Sequence, residues 1–78
     1  MKFTLHVKWK NGGGAIIDEF NASSENAAIK KATDSLVKNK TWTSNSVSAR
    51  LNRSMRGGTL HSIKDWSLEE LQAIIKKS

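Results

Sequence analysis

The chain has no cysteine, no apolar run long enough to cross a bilayer, and no acidic side chain over thirty consecutive residues. Without cysteine, neither disulfides nor thiolate-rich zinc sites can hold the fold, so the burial of apolar surface must do so alone. The same absence fits a reducing compartment. The opening Met1-Lys2-Phe3-Thr4-Leu5-His6-Val7-Lys8 places charges where a secretory signal needs an unbroken apolar segment. No stretch approaches the roughly 18 apolar residues of a membrane-spanning helix. The expectation is a cytoplasmic protein with no membrane partner.

Catalytic signatures are missing as well. There is no Ser-His-Asp order and no evident desolvated acidic pair. Gly12-Gly13-Gly14 lacks the Lys-Ser/Thr that completes a phosphate loop, and it falls in a hairpin rather than before a helix. A metal site would need both histidines, His6 and His61, on corresponding strands with Asp18 or Asp65 as a third ligand, and outward surface positions are the commoner fate of such residues. No enzymatic activity, cofactor or metal is expected.

Apolar residues make up 37% of the 78 positions and run from Phe3 to Ile75. That suffices for one modest core, since a domain of this size buries about 60% of its unfolded surface. We therefore read residues 1–78 as a single domain. Phe3, Leu5, Val7 and Trp9 alternate with Thr4, His6, Lys8 and Lys10, the period of a half-buried strand. Asn11-Gly12-Gly13-Gly14 can adopt positive φ and turns the chain into a returning strand over 15–20. Ser23 is the candidate N-cap of a helix over 24–38 that buries Ile29, Ala32, Leu36 and Val37. Near the C-terminus, Ser67 and Glu70 form a capping box. Trp66 and Leu71 stand as a hydrophobic staple, and Leu68, Leu71, Ile74 and Ile75 supply the stripe of a last helix.

Residues 46–56 carry two conflicting patterns. Val47, Ala49 and Leu51 alternate as in a strand, while Val47, Leu51 and Met55 lie four apart as in a helix. A shift of 44 residues lays Gly13-Gly14 on Gly57-Gly58 and Ser23 on Ser67, so both halves read as strand, glycine turn, strand, serine cap and helix. The expected fold class is α+β, a ββαββα chain whose antiparallel sheet packs against two helices, with pseudo-repeat halves of about 1–40 and 41–78. The alternative is ββα plus a helix at 46–56.

The formal charge of +6 comes entirely from Ser35–Lys64, which holds Lys38, Lys40, Arg50, Arg53, Arg56 and Lys64 and no acid. Elsewhere cations and acids balance. Arginine grips phosphate or a guanine edge with two hydrogen bonds, and Arg50, Arg53 and Arg56 crowd into seven residues. On a hairpin, Arg50 and Arg56 would straddle a turn with Arg53 at its tip; on a helix, Arg50 and Arg53 would share a face. Either arrangement yields one basic patch. Trp42, between two threonines, is the aromatic expected to be partly exposed and available for stacking. The bland reading is that these cations solvate an outer face and that Trp42 packs at an edge.

Gly58-Thr59-Leu60-His61-Ser62-Ile63, with Ser67-Leu68-Glu69-Glu70 behind it, resembles the C-terminal tail of the HicA family of small toxin ribonucleases over about a dozen positions. That family opens with a helix and carries its catalytic histidine in a Gly-Ser-His strand. This chain opens with a strand and has no Gly-Ser-His, so no catalytic residue carries over.

Two functions follow from the charge. The first is a nucleic-acid-binding module, DNA ahead of RNA, using Arg50, Arg53, Arg56, Lys38, Lys40, Lys64 and Trp42. The second is a protein-interaction or inhibitor module of the kind phages and mobile elements encode, docking on an acidic or nucleic-acid-binding partner surface. An exposed apolar patch around Trp42 would favour the second. An edge strand, with the first strand foremost, is a candidate for pairing two copies into a homodimer.

Overall fold

A computed structural model describes residues 1–77. The opening alternation forms β1 (Lys2–Trp9), which pairs antiparallel with β2 (Gly14–Asn21). Phe3, Leu5 and Val7 turn toward the helices and are buried, while Lys2 and Lys8 are exposed. The turn uses its glycines for different reasons. Gly12 and Gly13 have φ of 91° and 73°, where an L side chain is strained. At Gly14 a Cβ would stand 2.6 Å from the Val7 carbonyl oxygen.

Helix α1 (Glu25–Lys38) is capped by Ser24, whose Oγ accepts from the Ala27 N–H at 3.1 Å. The expected cap at Ser23 is thus corrected by one residue. Ala28, Ala32 and Leu36 form its buried stripe, and Asn39 closes it through its N–H and its side-chain amide, both donating to the Ser35 carbonyl at 2.9 Å. A short helix, α2 (Lys40–Ser44), follows, so the sheet carries three helices rather than two. Its sequence, Lys-Thr-Trp-Thr-Ser, has weak intrinsic helix preference and no period. Packing fixes it: Thr43 is 1% exposed, and its hydroxyl lies 2.8 Å from the Leu36 carbonyl and 3.0 Å from that of Asn39.

Strands β3 (Ser46–Ser54) and β4 (Leu60–Trp66) complete an antiparallel sheet of order β2-β1-β3-β4, and a 3₁₀ turn over Arg56–Gly58 lies between them. The ββαββα reading holds, and a helix over 46–56 is overturned. Segment 46–54 lies between β1 and β4, pairs its backbone on both sides, and buries Ala49 and Leu51; Met55, the third member of the four-residue spacing, is exposed. Helix α3 (Leu68–Lys77) opens with the expected capping box. The Ser67 N–H donates to Glu70 Oε1 and the Glu70 N–H to Ser67 Oγ, each at 3.2 Å. Trp66 and Leu71 join Phe3, Leu5, Leu36 and Leu51 in the single core.

The two ββα units meet through their first strands, with Leu5 opposite Leu51 in the middle of the sheet. Strand β1 is therefore internal and is corrected as a candidate edge; the edges are β2 and β4. In the sheet the repeat spacing is 46 residues. It relates Leu5 to Leu51 and Phe20 to Trp66, and it relates Ile17 to Ile63, the one residue in each outer strand that lacks an opposite number across the ladder. The positive-φ pairs Gly12-Gly13 and Gly57-Gly58 stand 45 apart, and the helix caps Ser24 and Ser67 stand 43 apart. No single shift, 44 included, relates the halves, because the connections differ in length.

Candidate nucleic-acid interface

Alternation along β3 decides where the arginines go. Arg50 lies across from His6 and Asp65 on the face that no helix covers, and its Nε donates to Asp65 Oδ1 at 2.6 Å. Arg53, an odd number of residues along, lies across from Phe3 on the helix face, with its guanidinium 3.9 Å from Glu25 at the start of α1. Arg56 sits in the 3₁₀ turn beyond the strand. The trio is therefore not one patch, and Arg53 is not at a hairpin tip. Lys64 also faces the helices, 5.5 Å from the centre of the Trp66 ring and 3.9 Å from Glu70.

The acid-free window thus meets its acids in three dimensions. Three of its six cations pair with Glu25, Asp65 and Glu70, which lie outside it in sequence. Lys2 pairs with Glu19 in the same way. Nine cations but three acids, Asp18, Asp34 and Glu69, remain without an ion pair among the described residues. Of the nine, Lys38 and Lys40 stand on either side of the α1–α2 junction. Lys8 and Lys10 lie at the end of β1 that is tied to the far end of α2. Arg56 lies at the other end of β3, about 26 Å away at 3.3 Å per residue.

The end of the sheet near α2 also carries the aromatic feature. Trp42 is 51% exposed and meets Trp9 edge to face, with ring centroids 5.7 Å apart and planes at 61°. The two rings line a notch of about 480 Å³ together with Lys10, Asn11, Thr41 and Asn45, and no acid contributes to it. Backbone bonds hold both walls: the Trp9 N–H donates to Gly13 O at 3.0 Å and the Lys10 N–H to Asn45 O at 2.9 Å. Ser46 fixes the exit from α2 by donating to the Trp42 carbonyl at 2.8 Å. Partial exposure of Trp42 is as expected. Lys8, Lys10, Asn11 and Asn45 are additions. The alternation of β1 marks its lysines as solvent-facing, but only tertiary structure brings the hairpin turn against α2.

The uncovered face of the sheet holds a second depression, of about 500 Å³, lined by His6, Lys8, Ser48, Arg50, Asn52 and Asp65. His6 Nε2 is buried there without a hydrogen-bond partner. Because Arg50 is matched by Asp65, and Lys2 by Glu19, this face is polar but close to charge balance. His61 lies on β4 opposite Arg53, so the alternation turns it to the helix face and the two histidines do not converge. No cluster of three or more His, Cys, Asp or Glu is placed to hold a metal among the described residues. No helix among them is long and apolar enough to cross a membrane. Comparison with protein-family models, curated proteins and solved structures finds no match to the chain.

Proposed function

We propose that the protein binds nucleic acid through the end of the sheet where Lys8, Lys10, Lys38 and Lys40 gather around α2. The observation that carries this reading is the residual charge. After ion pairing, cations outnumber acids three to one among the described residues; Lys10 lines a notch to which no acid contributes, Lys40 opens the adjoining α2, Lys8 lies on the uncovered face of the sheet, and Lys38, at the end of α1, shares a depression with Asp18 and Asp34. A phosphate backbone is the polyanion that such a surface suits, because each neutralised phosphate releases condensed counterions. Arg50, Arg53 and Lys64, already held by carboxylates, contribute less, since a phosphate would have to displace an existing partner. A protein partner would be favoured by a broad contiguous apolar patch, whereas the apolar surface here is the Trp9–Trp42 pair, framed by Lys10, Asn11, Thr41 and Asn45.

The test is a titration against duplex DNA, single-stranded DNA and RNA across a range of salt. Four phosphate contacts give a log–log slope of about −3 to −4. Lys10→Glu or Lys40→Glu should reduce the slope by about 1 each, whereas Arg53→Gln should leave it nearly unchanged. Binding that is insensitive to salt, or no binding to any of the three polymers, would dispose of the reading.

A further inference from the structure

We infer that the notch between Trp9 and Trp42 receives one unpaired base, so that the protein selects single-stranded or gapped nucleic acid over continuous duplex. The inference rests on the nucleic-acid reading above and names the form of ligand. In the edge-to-face pair, one ring directs its edge at its neighbour, so the two tryptophans cannot cover both faces of each other. Trp42 is half exposed although it is the largest side chain on α2. A nucleobase offers a flat, apolar face with polar edges, and the walls match both parts. The indoles supply the stacking surface. Among the described residues the Asn11 side-chain amide makes no hydrogen bond, and the Asn45 side chain donates from Nδ2 to the Thr41 carbonyl at 3.0 Å while its Oδ1 accepts none. Lys10 is placed for the phosphate next to the base.

The notch is also rigid before any ligand arrives. Thr43 anchors α2 to α1, Ser46 fixes the exit from α2, and the Lys10–Asn45 backbone bond holds the hairpin turn against it, so little ordering remains to be done on binding. Bases within a duplex have their faces covered by their neighbours and cannot enter. Unstacked bases in a single strand, gap or flap can.

The full chain is titrated with a single-stranded oligothymidylate, an abasic strand of equal length and a duplex, and tryptophan emission is followed alongside anisotropy of labelled strands. Trp66 is buried, so quenching reports on Trp9 and Trp42. The oligothymidylate should quench emission and bind about 5- to 150-fold more tightly than the abasic strand, the range expected for one base stacked on an aromatic ring. Trp42→Ala should abolish the difference between those strands, and Trp42→Phe should keep part of it. Equal affinity for base-containing and abasic strands without quenching would overturn the inference while leaving nucleic-acid binding intact. Failure of every strand to bind would overturn both. Quenching by aromatic peptides but by no nucleic acid would assign the notch to a protein partner and refute the inference.

Discussion

Replacing each glycine of the first turn by alanine separates two physical costs that the sequence presents as one. At Gly12 and Gly13 nothing lies within 4 Å of an added Cβ, so the penalty comes from positive φ alone. That conformation costs an L residue about 1–2 kcal/mol, offset by about 0.4–1 kcal/mol from the lower entropy of the unfolded chain, for a net loss of roughly 1 kcal/mol. Gly14 has no positive φ, yet its Cβ would approach the Val7 carbonyl oxygen to 2.6 Å, where ordinary contact begins at 3.4 Å. The obstacle is backbone of the paired strand, with Lys8 opposite Gly14 and Val7 opposite Ala15, so no rotamer change relieves it. The end of the hairpin must open by a large part of an ångström, and such overpacking costs about 1–3 kcal/mol. Gly14→Ala should therefore be the most destabilising of the three. Urea unfolding followed by circular dichroism measures this: with a slope of about 1–3 kcal/mol per molar, a 2 kcal/mol loss lowers the midpoint by about 1 M. A midpoint for Gly14→Ala at or above that of Gly12→Ala would refute the argument from close approach.

Leu51→Ala, at the centre of the sheet, should cost about 2–5 kcal/mol out of the roughly 4–12 kcal/mol available to a domain of this size, and calorimetry should show a much lower melting temperature or none. Ser67→Ala removes one arm of the capping box and should cost about 1 kcal/mol by urea denaturation, with Ser67→Asp restoring most of it. Thr43→Val keeps the volume but strips the hydroxyl from the Leu36 and Asn39 carbonyls; a loss of about 1–2 kcal/mol is expected, with faster amide exchange in α2 before the sheet.

Much of the fold is legible because two elements announce themselves chemically. The alternation of Phe3, Leu5 and Val7 and the Ser67–Glu70 box are local patterns whose physics needs no distant partner, and both appear as read. Helix α2 is not legible, since its hold on Thr43 comes from a carbonyl seven residues back and its sequence has no period. The repeat is visible but misaligned: a serine before a helix can cap from either of two adjacent positions, and a row of three glycines does not say which two take positive φ. For the site, linear charge density misleads. Arg50 and Arg53 look unopposed along the chain, but the sheet and α1 bring Asp65 and Glu25 to them, while Lys8 and Lys10, which precede the first acid at Asp18, have no ion pair among the described residues.

The isoleucines that step out of the ladder at Ile17 and Ile63 lie one in each outer strand, 46 residues apart. A bulge bends its strand and sharpens the local twist, so neither border of the sheet offers a straight, uninterrupted row of amides and carbonyls to a newcomer. Growth past four strands, toward a domain-swapped assembly or a cross-β fibril, must start at a kink on either side. The same two residues also pack against the core, so a mutation that straightened either border would loosen the interior at the same time, coupling resistance to aggregation to the stability of the folded chain.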